Sequence, residues 1–439
     1  MSILIKNVYS VSGELVTIFI KSDLIYSIGF RKPFADEVIE GEGKLVMPGI
    51  IDPHVHFRVP GGEHKEDWQT GSAAAAAGGV TTVLDMPNND PPITSQEFLK
   101  KKKALIEGRS LVNYGLYMGA TEDNLEEIKQ TREIAGVKVY LGSSTGSLLV
   151  KDYTVVERLL KETDHIIAVH CEDEECLKKA LPATALQELP PALLHAQNRP
   201  EECAKICAQK VLSIVKKINK PVYFCHVSSQ SELEFFKESR EQGLPLYIEA
   251  TPHHLLYTCD DGIAFGNFAK VNPPLRSKES KQALCSALSE GLIDTIGTDH
   301  APHTRLEKEK SYKEAPSGMP GIETSLASLL SFYHEGKVSL SLIQKCMSEN
   351  PARIFNIQKR GKLEEGYYAD LVVVDLHLTR NIKNDTLYTK CGWSAIAGKS
   401  LTGWPWITIV NGTVVCRELK ITAQRYPGRD IFKNKSPHD

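Results

Sequence analysis

The chain opens on short alternating runs. Residues 3–5, 15–20 and 24–28 carry apolar side chains at strand spacing, broken by glycine and serine. From about residue 51 to 350 the pattern changes, and apolar runs of strand length alternate with longer segments of helical period. Strands are predicted at 50–57, 80–86, 111–118, 136–141, 165–170, 221–227, 244–250 and 292–298. Helices are predicted between them at 65–77, 95–107, 155–162, 203–218, 231–242 and 278–290. Such alternation predicts an α/β protein whose eight parallel strands close into a (β/α)8 TIM barrel rather than an open sheet. Past residue 358 the strand pattern returns at 369–375 and 407–412, the latter ending on Asn411-Gly412, a hairpin signal. The expected organisation is a barrel over 51–357 and a small β-sandwich domain built from both termini, 1–50 and 358–439.

Composition narrows the function classes. With 41% hydrophobic and 24% charged residues, the 439-residue chain is an ordinary globular one. Fifty-two basic residues against 55 acidic leave no surplus to recommend a nucleic acid or an anionic membrane. No apolar run approaches the roughly 18 to 20 residues that span a bilayer, and the N-terminus lacks the layout of a signal peptide. Ten cysteines at irregular spacings, without a CxxC, are expected as reduced, buried thiols. A cytoplasmic protein with a small-molecule substrate is expected.

Chemistry concentrates at the predicted strand ends. His54 and His56 lie two apart at the end of the first barrel strand, so both project to one face. His170, His226 and Asp299 close later strands at the same end, where barrel active sites are built. Four imidazoles and a carboxylate together suit zinc or a similar divalent ion. Lys138 sits among apolar residues of the fourth strand, where a charged amine is costly to bury. Its neutral amine can instead take up carbon dioxide and become an anionic carbamate able to bridge two cations.

With these residues in place, the chain resembles the dihydroorotases of the cyclic amidohydrolase superfamily, of the carboxylated-lysine binuclear type. The stretches 43–52 and 366–372 match the family's bracketing β segments. The resemblance implies two Zn2+ per subunit, bridged by carboxylated Lys138 and a hydroxide. His54, His56 and Asp299 would hold the more buried metal; His170 and His226 would complete the other. It implies reversible cyclisation of N-carbamoyl-L-aspartate to L-dihydroorotate, with Asp299 as general acid and base. Arg58, Asn88 and His303 would clasp the substrate carboxylate, with His56 also at the substrate. Asn272 and the backbone of Ser317 and Gly318 would contact the pyrimidine ring. A loop after Lys138 offers Ser144 or Thr145 as a lid hydroxyl, and Cys225 with Glu249 could form an accessory site near His54. A homodimer follows from family habit. The alternatives are a hydantoinase-, dihydropyrimidinase- or allantoinase-like enzyme, which needs no carboxylate clasp, and a non-catalytic homologue.

Overall fold

The computed structural model describes residues 2–29, 33–144, 146–180 and 189–433, so Thr145 lies outside it. Eight parallel strands follow one another in chain order: Ile50–Val55, Val80–Asp85, Asn113–Gly119, Gly136–Tyr140, Ile167–His170, Val222–Phe224, Leu246–Ala250 and Thr295–Ile296. Nearly all their residues are buried, as expected for parallel strands between an inner core and an outer helical layer. The last strand is shorter than predicted because a side chain replaces its ladder: Thr298 N–H donates to Asp52 Oδ1 at 3.0 Å. The barrel closes just above, where His56 N–H donates to His300 O at 2.8 Å.

Helices Trp68–Ala77, Gln96–Ile106, Thr154–Glu162, Glu201–Ile218, Gln230–Glu241 and Lys278–Ser289 match the predicted segments. Several start on side-chain caps. Asp67 accepts from the amides of Gln69 and Thr70, and Ser229 forms a reciprocal box with Glu232. Asn219, left-handed at φ 58°, ends the longest of them.

Tyr117, Tyr223, Phe355 and Phe432 fill the N-terminal end of the barrel with aromatic rings. Phe432 arrives from the tail, where Tyr114 N–H donates to Arg429 O at 2.9 Å; a Cβ on Gly115 would meet its ring at 2.3 Å. The polar side chains are left to the opposite end.

A second, nine-stranded and mainly antiparallel sheet joins both termini. Its central seam pairs Leu45–Pro48 with Leu371–Val374. Asn411 and Gly412, at φ 46° and 69°, make the predicted hairpin turn. Asp370 links this sheet to the barrel, accepting from Asn113 Nδ2 at 3.0 Å and Asn411 N–H at 2.7 Å.

The expectation for the cysteines needs one correction. Cys176 and Cys203 are joined in a disulfide, because the helices Glu174–Ala180 and Glu201–Ile218 bring their Cα atoms to 5.3 Å. No described helix is long and apolar enough to cross a membrane.

Candidate active site

At the C-terminal strand ends the inward side chains surround a cavity of about 370 Å3. Its wall holds His54, His56, Arg58, Asn88, Lys138, His170, His226, Asn272, Asp299, Ser317 and Gly318, joined by Tyr140, Ser144 and Ala301. His303 is the one predicted site residue set a layer back, fully buried behind Arg58 and Ser317.

Three of these side chains reach the cavity through left-handed backbone: Arg58 at φ 65°, His226 at 36° and Asp299 at 47°. Each costs about 1–3 kcal/mol in a non-glycine residue and persists only where its surroundings impose it. At His226 the constraint is visible, for its N–H donates to the buried Glu249 Oε1 at 2.8 Å.

One cluster centres on Asp299, whose Oδ1 lies 3.0 Å from His56 Nε2 and 3.3 Å from His54 Nε2. Burial opposes ionisation of Asp299, but His54 and His56 outweigh it and hold its pKa well below the ordinary carboxylate range. On its far side His54 Nδ1 bonds Glu249 Oε1 at 2.8 Å. Burial alone would lower the His54 pKa; Glu249, with Asp299, instead raises it to about 10. The pocket thus favours positive charge between His54 and Asp299, whether a proton or a metal carries it. Burial drives His56 the other way, to about 4, and leaves it a neutral imidazole 2.6 Å from Asn88 Oδ1.

The second cluster is Lys138, His170 and His226. His170 Nδ1 and His226 Nε2 face each other at 3.0 Å, and His226 Nδ1 is buried with no hydrogen-bond partner among the described residues. Burial lowers both pKa values, and the Lys138 charge adds to it. Lys138 is itself fully buried, with Nζ donating to Cys225 Sγ at 2.9 Å. His56, His170 and His226 as neutral imidazoles and Asp299 as a carboxylate are in the states metal ligands require, and a cation at His54 would take the place of the proton that Glu249 and Asp299 favour there, so the donor set fits a metal centre.

Beside these clusters lie Arg58 and His303. Arg58 Nε donates to Pro302 O at 3.1 Å. Lys65 Nζ, which can only donate, is 3.2 Å from His303 Nδ1. His303 Nε2 lies 3.0 Å from Ser317 O and 3.2 Å from Arg58 Nη2. Burial, then Arg58, Lys65 and Lys308, keep this imidazole neutral.

Several partners were not singled out from sequence. Glu249, considered only for an accessory site, orients His54, although its donor atoms, those of His54 and those of Cys225 all lie within 4.8 Å. Glu172 approaches His170 Nε2 at 3.2 Å and is gripped by Arg199. His195 bonds Asn272 Oδ1 at 2.9 Å and Tyr312 OH at 2.9 Å. A signal existed for Glu249 alone: an acid inside the apolar strand Leu246–Ala250 is as costly to bury as Lys138.

Residues 45–415 match the model of the amidohydrolase family. The chain is 36% identical over 442 aligned positions to a dihydroorotase of Methanosarcina acetivorans, covering 97% of this chain and 93% of that one. It is 34% identical to a dihydroorotase of Bacillus cereus, covering 86% and 88%. Among solved structures it resembles an L-hydantoinase (dihydropyrimidinase) from Arthrobacter aurescens, with a TM-score of 0.91, 29% identity and 97% and 98% of the two chains covered. A dihydropyrimidinase from Brevibacillus agri aligns with a TM-score of 0.89 at 25% identity, covering 98% of each.

Proposed function

Because the chain belongs to the amidohydrolase family, and dihydroorotases match it over nearly its whole length, we propose that it interconverts N-carbamoyl-L-aspartate and L-dihydroorotate in pyrimidine synthesis. The observation that carries this choice of substrate is Arg58, a buried guanidinium on the cavity wall beside the histidine–aspartate cluster. Its planar fork suits a carboxylate, which dihydroorotate has and dihydrouracil lacks.

The binuclear metal centre of the family falls to the two clusters. We assign His54, His56 and Asp299 to one metal and His170 and His226 to the other, with Lys138, as a carbamate, shared between them. Zinc suits these nitrogen and oxygen donors. When bound, the metals supply Lewis acidity toward the ring amide and a water acidified to a pKa of about 7.

Asp299 takes up the proton of the attacking water and delivers it to the departing ring nitrogen; in cyclisation it runs the same transfer backward. Asp299 is ionised at rest because His54 and His56 oppose the effect of burial, so it can receive that proton. Arg58 holds the α-carboxylate, with Asn88, His303 and His56 at the same side. Asn272, oriented through its Oδ1 by His195, and the backbone of Ser317 and Gly318 face the ring. Ser144 lines the cavity, and it or Thr145, which lies outside the described residues, is the hydroxyl for a lid contact. A homodimer in the cytoplasm belongs to the same reading, its size read by sedimentation velocity.

The test is metal content measured beside turnover of dihydroorotate, dihydrouracil and hydantoin. Expected are two metals per chain and a preference for dihydroorotate of about 100-fold or more, since a site built for a charged group rejects analogues lacking it. Equal or better turnover of dihydrouracil would transfer the protein to the dihydropyrimidinases. A metal-loaded protein acting on none of the three would be an allantoinase if it turned over allantoin and a non-catalytic homologue if it did not.

A further inference from the structure

The cavity wall has two stretches without charged side chains, Asn272 and Ser317–Gly318. They are separate loops, joined directly by one backbone bond, Gly318 N–H to Lys270 O at 2.9 Å. Gly318 stands at φ 138°, and a Cβ there would lie 2.5 Å from Ala301 O, so this position has no side chain with which to brace itself.

The brace comes from behind. Lys308, the last residue of the short helix Arg305–Lys308, is fully buried. Its Nζ donates to Lys270 O at 3.1 Å, Pro316 O at 2.9 Å and Gly318 O at 2.9 Å. An ammonium has three hydrogens, and all three are committed to carbonyls of these two loops. Lys270 returns the arrangement, with Nζ donating to Tyr312 O at 2.7 Å and Ala315 O at 2.6 Å. The loop 312–318 is thus wrapped around two cations, and Lys308 bonds the carbonyls of both segments, while His195 joins them further out through Asn272 Oδ1 and Tyr312 OH.

We propose that Lys308 is a positioning residue for substrate binding: its ammonium sets the spacing between the 270–272 and 316–318 segments, and so the fit of the ring between them. It does not line the cavity and touches no reacting atom. The proposal rests on the reading that these segments contact the substrate. Burial, then Lys270 and Arg58, lowers the Lys308 pKa to about 7, so holding an ammonium there is costly, and its three bonds to main-chain carbonyls make a rigid binding wall. Rigidity there matters because misplacement by about 1 Å can cost 10²-fold in rate or fit.

The experiment compares wild type, Lys308→Met and Lys308→Arg as metal-loaded proteins. In Lys308→Met the KM for dihydroorotate is expected to rise about 10-fold or more, with kcat within about 3-fold and metal content unchanged. Lys308→Arg, which keeps the charge, is expected to fall between. Hydrogen exchange without substrate is expected to quicken at the Gly318 amide while barrel-strand amides keep their protection. An unchanged KM in a folded, metal-loaded variant overturns the proposal, as does equal loss of kcat and metal. If Lys308→Met does not fold, Lys308→Arg alone decides by the same two readings. A wild type inert toward dihydroorotate would sink the assigned substrate, and Gly318 exchange in the variants would still decide the role of Lys308.

Discussion

His54, on the first barrel strand, and Glu249, on the seventh, meet at 2.8 Å between Nδ1 and Oε1. The same oxygen accepts the His226 N–H, while the other accepts from Tyr223 OH at 2.8 Å. One carboxylate therefore orients ligands assigned to two different metals. Replacing Glu249 by Gln should weaken metal binding by about 10- to 100-fold, the usual cost of losing such an outer partner. Competition with a chelator measures it; unchanged affinity would mean that His54 is held by packing alone.

Arg58→Ala should raise the KM for dihydroorotate by about 10- to 100-fold, since a hydrogen bond to a charged group is worth roughly 1.5–3 kcal/mol. Any slow turnover of dihydrouracil should be unaffected. Equal losses on both substrates would make Arg58 a structural residue, tied only to Pro302 O and His303.

Asp299→Asn keeps the side-chain volume but removes the proton acceptor. Turnover should fall about 10²- to 10⁴-fold, the range for a lost general acid–base. Thermal unfolding should show the fold retained. Appreciable activity in a folded, metal-loaded variant would assign the proton transfer elsewhere.

The carbamate on Lys138 should appear as a carbon-13 resonance when the holoprotein is prepared with labelled bicarbonate. It should be missing from Lys138→Ala, which should also hold less metal. A labelled wild type without that resonance would leave Lys138 as a buried amine against Cys225.

Histidine 195 gives a pH prediction. Burial, with Arg199 and Lys270, depresses its pKa from 6.5 to about 3. Above pH 6.5 folded and unfolded chains are both neutral there, and the stabilising effect of the His195 contacts is complete. As pH falls toward 3 the unfolded chain takes a proton that the folded one refuses, so stability is lost on acidification. The Tm advantage of wild type over His195→Gln should narrow between pH 7 and pH 4; a constant gap would contradict the buried, neutral imidazole.

Sequence pattern carried the barrel and the cluster at its mouth because both are local. A strand end is where an apolar run stops, so His54, His170, His226 and Asp299 announce their position by their neighbours. Long-range partners have no such signature. His195 finds Asn272 only because the helix Pro191–Asn198 folds over the loop bearing it. Trp393 Nε1 donates to His303 O at 2.7 Å, bringing a segment of the C-terminal region behind Arg58. The Cys176–Cys203 pair likewise depends on how two helix starts pack. Lys308 reads in sequence as an ordinary charged residue of a polar stretch; its burial is decided by loops that close around it.

The seam between Leu45–Pro48 and Leu371–Val374 has a consequence during synthesis. Those early residues leave the ribosome long before their partners exist, offering a bare apolar ribbon to any nascent chain nearby. The terminal sheet can zip shut along this seam only after the whole barrel has been translated, a long-range pairing of the kind that closes late.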